Sequence, residues 1–337
     1  MNPRLSRKVL AWSLWTLAVV LAALIGFLYV MGLSAWGVVS DRAPPWFVPL
    51  MALMPVSFST VGAVIASRRS GNAVGWCFLA IGLALGSAFA GQFYADYALV
   101  SDAPGGSVAV WLSLWTPVPA LVAATFFCLL FPEGQPPSRR WRWAGRISMS
   151  GGALLVLGLS LAPGPLDERN YPGYRNPVGV EGVGRLLEGT TKVGTGLTLL
   201  ALLLAVAAMI ARFRRSVGIE RQQLKWVVYA GAMAAGGFAL TLFLSGPLSN
   251  AVFAVAFLAF LGIPVAAGVA ILRHRLYDID LVINKTLVYG ALTISLAAVY
   301  LAGVASSQYL LHSLTGNDSQ ITIVASTLAI AALFSPL

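Results

Sequence analysis

The chain has 337 residues, of which 58% are hydrophobic and only 10% charged, with a mean hydropathy of +0.82, against roughly 25% charged residues in soluble domains. A depletion that deep excludes a water-soluble globular protein, because most of the surface must face a solvent other than water. The net charge of +10 would suit nucleic acid, but the cations sit in short segments between apolar runs, which excludes that partner and points to a lipid bilayer.

A helix needs about 20 mainly apolar residues to cross a ~30 Å hydrocarbon core. Runs of that kind occur at 9–33, 47–67, 72–95, 108–131, 143–163, 191–212, 225–244, 251–272, 286–311 and 321–337. The first follows Arg4, Arg7 and Lys8 as a signal peptide would. It is longer than a signal-peptide core and lacks a small-residue cleavage site, so it reads as a retained span. Proline falls inside several runs (Pro49 and Pro55, Pro117 and Pro119, Pro264) and predicts kinks whose freed carbonyls neighbouring helices can satisfy. The fold expected is an all-α, polytopic transmembrane helix bundle of ten spans, a single domain over 1–337.

Orientation follows from the cations. With the N-terminus inside and the side alternating at each span, the inner segments hold Arg4, Arg7, Lys8, Arg68, Arg69, Arg139, Arg140, Arg142, Arg146, Arg212, Arg214, Arg215, Arg221, Lys225, Arg273, Arg275 and Lys285. The outer segments hold Arg42, Arg169, Arg175, Arg185 and Lys192. The positive-inside rule then places both termini in the cytoplasm. The longest outer segment, 164–190, is rich in Gly and Pro and is long enough to cap the bundle or touch a ligand. Trp12, Trp15, Trp46, Trp111, Trp115, Trp141, Trp143 and Trp226 crowd the span ends and read as interfacial anchors. Cys77 and Cys128 lie inside apolar runs and read as packing residues.

Motifs for chemistry are missing. There is no GxxxxGK[ST], HExxH or CxxC, and the two histidines, His274 and His312, fall on opposite sides of the expected topology. No catalytic, cofactor-binding or metal-ligating residue is expected. Gly151–Gly152 and Gly236–Gly237 read as close helix contacts. A candidate polar ligand patch is formed by Gln92, Tyr94 and Asp96 near the outer end of the third span; its bland alternative is that Asp96 merely begins the outer loop. The inner segment RHRLYDIDLVINK contains a DxD, Asp278 and Asp280, more in keeping with a helix cap than with a metal site. Leu276, Ile279 and Ile283 stand at helical spacing along it, as in a helix lying on the membrane surface.

RHRLYDIDLVINKTLVYGALT and the terminal STLAIAALFSPL, with RRSGNAVGWCFLAIGL (68–83), LLFPEGQPPSRRWR (129–142) and GIERQQLKW (218–226), resemble the membrane region of bacterial multi-span sensor histidine kinases of the actinobacterial type. The resemblance implies a multi-pass protein of the bacterial plasma membrane, working as a homodimer. It would pass an envelope or extracellular cue through a linker containing Arg273, Arg275, Tyr277, Asp278, Asp280 and Asn284. In that family a kinase core follows the last span and addresses a cytoplasmic response regulator. No such output domain occurs up to Leu337, so kinase activity and a response-regulator partner are expected only if that core follows. The alternative reading is a small-molecule permease or a transporter subunit, which the scarcity of charges at membrane depth does not favour.

Overall fold

The computed structural model describes residues 3–32, 47–69, 72–136, 138–241, 243–244 and 246–273. Nine α-helices occur among them: α1 (Pro3–Gly32), α2 (Val48–Arg68), α3 (Val74–Ser101), α4 (Gly106–Trp115), α5 (Pro117–Leu130), α6 (Arg142–Leu161), α7 (Gly184–Arg215), α8 (Gly218–Thr241) and α9 (Gly246–Arg273). Among the described residues no strand forms beyond one bridge pair, Pro165 with Arg175. Contacts divide the chain into Met1–Val39 with Ala52–Arg275, and Ser40–Met51 with Leu276–Leu337. Apart from Phe47–Met51, the second of these lies outside the described residues.

Eight segments are long and apolar enough to cross a membrane, α4 and α5 counting as one, Gly106–Leu130. They fall on the first eight expected runs. The expected spans at 286–311 and 321–337 lie outside the described residues. Large apolar side chains remain turned outward, among them Leu203 at 68% exposure and Phe27 at 55%. In water such surface would be buried, whereas in lipid it is the ordinary exterior.

Lipid tails are as apolar as leucine, so helix association there depends on close packing more than on removal of water. The sequence supplies that packing through small residues. A Cβ on Gly62 would fall 2.7 Å from Gly75 O, which brings α2 against α3. Across α6 and α7 a Cβ on Gly151 would fall 2.8 Å from Thr198 N, and one on Gly194 would fall 2.5 Å from Leu155 N. Gly152 approaches Val122 and Gly237 approaches Ala256, whereas Gly236 meets nothing within 4 Å. Phe58, Phe78, Phe127 and Phe131 run through the core as neighbouring rings, with centroids 4.8–5.8 Å apart. Cys77 and Cys128 pack in this cluster as free thiols.

Proline acts unevenly. Pro55 and Pro264 sit inside continuous helices, whereas the fourth span breaks at Thr116, immediately before Pro117. Pro117 and Pro119 have no N–H to offer the carbonyls one turn earlier. The bonding of Thr116 ends the first half, its N–H and its Oγ1 both donating to Leu112 O, at 3.1 and 2.6 Å, while Ser113 O and Trp115 O lose their helical donors.

The tryptophans do more than anchor. Trp15 Nε1 donates to Thr60 Oγ1 at 2.8 Å, and Trp111 Nε1 to Ser160 O at 2.8 Å, so both tie one helix to another. Trp12, Trp143 and Trp226 are exposed, as interfacial residues should be. Trp46 lies outside the described residues.

Candidate functional site

The bundle has two chemically different ends. One carries the 162–183 segment, which lies over α3 and α4. Tyr171 is buried there against Ala95, Ala109 and Val110, with Leu166 and Tyr174 beside it. The rings of Tyr171 and Tyr174 stack with centroids 6.3 Å apart. Gly106 is pressed against the Tyr174 phenol, leaving no room for a side chain at that position. Asn176 Nδ2 donates to Ser160 O and Ala162 O, at 2.9 and 2.7 Å, and so fastens the segment to the end of α6. The segment thus caps this end, one of the two roles that its length and composition allow. Partial burial, followed by the charge of Asp102 and the neighbouring Tyr94, raises the Tyr174 phenol above its ordinary pKa.

Of the expected patch of Gln92, Tyr94 and Asp96, Tyr94 reaches this cap cluster. Gln92 and Asp96 are half-buried and share a helical face, while Phe93 and Ala95 between them are buried. Tyr94 is on a different face. Its hydroxyl donates to Pro104 O at 2.7 Å, and its ring packs with the cap cluster. The three residues therefore do not converge on one point, and Tyr94 has a structural partner. Of the linker residues, Arg273 closes α9. Arg275, Tyr277, Asp278, Asp280 and Asn284 lie outside the described residues.

The opposite, basic end holds a polar knot centred on Arg212, in the last turn of α7. Its side chain is only 12% exposed. Nε donates to Glu220 Oε1 at 3.0 Å, and Nη1 donates to Phe131 O at 2.8 Å and to Gln135 O at 3.4 Å. Nη2 stands 3.7 Å from Glu133 Oε2, a carboxylate open enough to water to add little. The planar fork of a guanidinium suits this divergent set of acceptors, which a lysine could not span. Local backbone favours both partners: Arg212 lies at the negative end of α7, and Glu220 in the first turn of α8 at its positive end.

A second polar group sits beside it. Asn72 is buried; Nδ2 donates to Pro132 O at 3.0 Å, while Oδ1 accepts from Val74 N at 2.9 Å and so satisfies an open N–H at the start of α3. Gly134 takes φ 82 and lies against Asn72, where a Cβ would meet Oδ1 at 3.0 Å. Farther round, Gln223 Nε2 donates to Ala270 O at 2.7 Å, joining α8 to the last turn of α9.

The sequence segments 68–83, 129–142 and 218–226 thus meet: Asn72 holds Pro132, and Arg212 holds Phe131, Gln135 and Glu220. Each was legible as a motif, but Arg212 itself reads only as one loop cation among many. Its signal was the Glu eight residues on, a spacing that turns into a contact only when α7 and α8 reverse at Ser216–Val217. The chemistry is that of positioning: a fixed cation, carboxylates and carbonyls. Among the described residues no group of three or more His, Cys, Asp or Glu could hold a metal ion. No protein-family model, curated protein or solved structure matches the chain.

Proposed function

We propose that the chain is a membrane sensor and signal-transducing region of the bacterial plasma membrane. It reads an envelope or extracellular cue and passes it through the 273–285 linker to a cytoplasmic histidine kinase output. In this reading the chain has ten spans, both termini lie inside, the basic end faces the cytoplasm and the working unit is a homodimer. The observation that supports it is the meeting of three motif segments around Arg212 and Asn72, with Gln223 fastening the same end of the bundle to the last turn of α9. The linker begins within that turn, at Arg273. A displacement of α7 or α8 would therefore be handed to α9 through a hydrogen bond rather than lost in a loose loop. Packed interfaces convert small shifts into discrete alternatives.

The test joins the chain to a histidine kinase core and measures autophosphorylation in vesicles. Gln223→Ala and Arg212→Lys are expected to change basal phosphorylation severalfold while the protein remains in the membrane at the same level. Unchanged output in both variants sinks the reading. Solute uptake by the same vesicles, abolished by Gln92→Ala or Asp96→Ala, would establish a permease instead.

A further inference from the structure

At the basic end, the last turns of α7, the start of α8 and the residue preceding α6 border a half-open cavity of about 220 Å³, lined chiefly by Trp141, Ala211, Arg212, Arg215, Ser216 and Glu220. Glu220 is the one carboxylate in the lining, and it is already paired with Arg212. The remaining charge is that of Arg215, which is exposed and has no hydrogen bond or ion pair among the described residues. Arg140, Arg142, Arg146 and Arg214 stand exposed around the same end. The lining therefore carries a net positive charge in a positive field.

The surroundings fix the depth. Trp143, Trp226 and Val217 are turned outward there, at 64%, 60% and 79% exposure, and exposed tryptophans beside arginines are the signature of the headgroup layer. Size narrows the ligand further. Pockets that enclose whole small molecules run to about 300–1,000 Å³, so this one suits a compact group tethered to something outside it. Three turns before Ala211 on nearly the same face of α7, Leu200 is exposed, an apolar surface on which an acyl chain can lie.

We propose that this cavity binds the phosphate-bearing headgroup of an anionic phospholipid. Arg215 contacts the phosphate at the mouth, and Arg212 contributes charge from behind. Basic pockets between helices at a membrane surface recognise such headgroups by charge and hydrogen bonding. The inference does not rest on the signalling reading, and a permease with this end at a membrane surface would carry the same site.

The experiment incubates the purified chain with phosphatidylglycerol and phosphatidylcholine in equal amounts and counts retained lipids by native mass spectrometry. The wild type is expected to keep phosphatidylglycerol in preference to phosphatidylcholine. Arg215→Gln should weaken that retention about fivefold, the effect of one cation near an anionic surface, and Arg215→Lys should restore part of it. Arg214→Gln removes the same charge just outside the lining and should bind as wild type. Ala211→Leu fills the cavity without touching charge and should also lose the lipid. Equal loss in Arg214→Gln and Arg215→Gln would reduce the effect to diffuse attraction and overturn the site. No preference for phosphatidylglycerol, or its displacement by millimolar inorganic phosphate, would overturn it as well. Should only one of Arg215→Gln and Ala211→Leu fold, as judged by its melting in phosphatidylcholine, retention of the lipid by that variant is decisive against the proposal.

Discussion

Arg212 and Glu220 should be energetically coupled, and a double-mutant cycle measures that coupling directly. At 3.0 Å with an effective dielectric of about 20, the gross attraction of two unit charges is on the order of 5 kcal/mol. Desolvation of Arg212, only 12% exposed, offsets much of it, and Glu220 at 36% keeps part of its hydration. The net coupling should then be about 1–2 kcal/mol. Arg212→Ala alone should cost more, about 3 kcal/mol, because Phe131 O also loses its charged donor. Glu220→Gln alone should cost about 1–2 kcal/mol. Reversible unfolding in mixed micelles, read by helix content, gives all four corners of the cycle. Coupling below about 0.3 kcal/mol with Arg212→Ala costing no more than a surface substitution would refute the knot as a fastening.

Asn72→Ala should destabilise the protein by about 1–3 kcal/mol, since Pro132 O and Val74 N are both left without a partner; a loss no greater than that of an exposed Asn→Ala change would contradict the assignment. Gly194→Ala should cost about 1–3 kcal/mol by forcing α6 and α7 apart. Gly196→Ala, two residues on with open space around it, should be neutral or stabilising by up to about 1 kcal/mol in the same unfolding assay. Tyr174 has its pKa raised in the folded chain, so the unfolded chain loses that proton first as pH rises. The stability it contributes is intact below about pH 10 and declines above it, and Tyr174→Phe should flatten that decline in melting curves recorded through the alkaline range.

Most of the architecture was open to a reading of hydropathy because a bilayer imposes one length scale on every helix. Eight described segments fall where the apolar runs place them, and the 162–183 segment caps the bundle as its length allows. Contacts were harder to read. Gln92, Tyr94 and Asp96 are neighbours in sequence, yet the helical repeat sends Tyr94 to another face, where Pro104 O takes its hydroxyl. Trp15 and Trp111 looked like anchors because composition cannot distinguish an indole facing lipid from one reaching the next helix. Arg212 was hidden for the opposite reason: it stands among cations that set orientation, and only the reversal between α7 and α8 turns it inward. Motifs 68–83, 129–142 and 218–226 were visible separately, but their meeting depends on pairings far apart along the chain.

Among the described residues, the fourth span is held at both extremities, by Tyr174 against Gly106 and by Arg212 through Phe131. Between those fastenings, Ser113 O and Trp115 O face prolines that cannot bond to them. A continuous helix would carry both thrust and twist from one end to the other. Thr116 keeps helical φ −62 and ψ −23, but the turn around it lacks two carbonyl bonds, so this segment should yield to bending there more readily than elsewhere. A push on the cap should therefore reach the basic end partly as bending in the turn around Thr116.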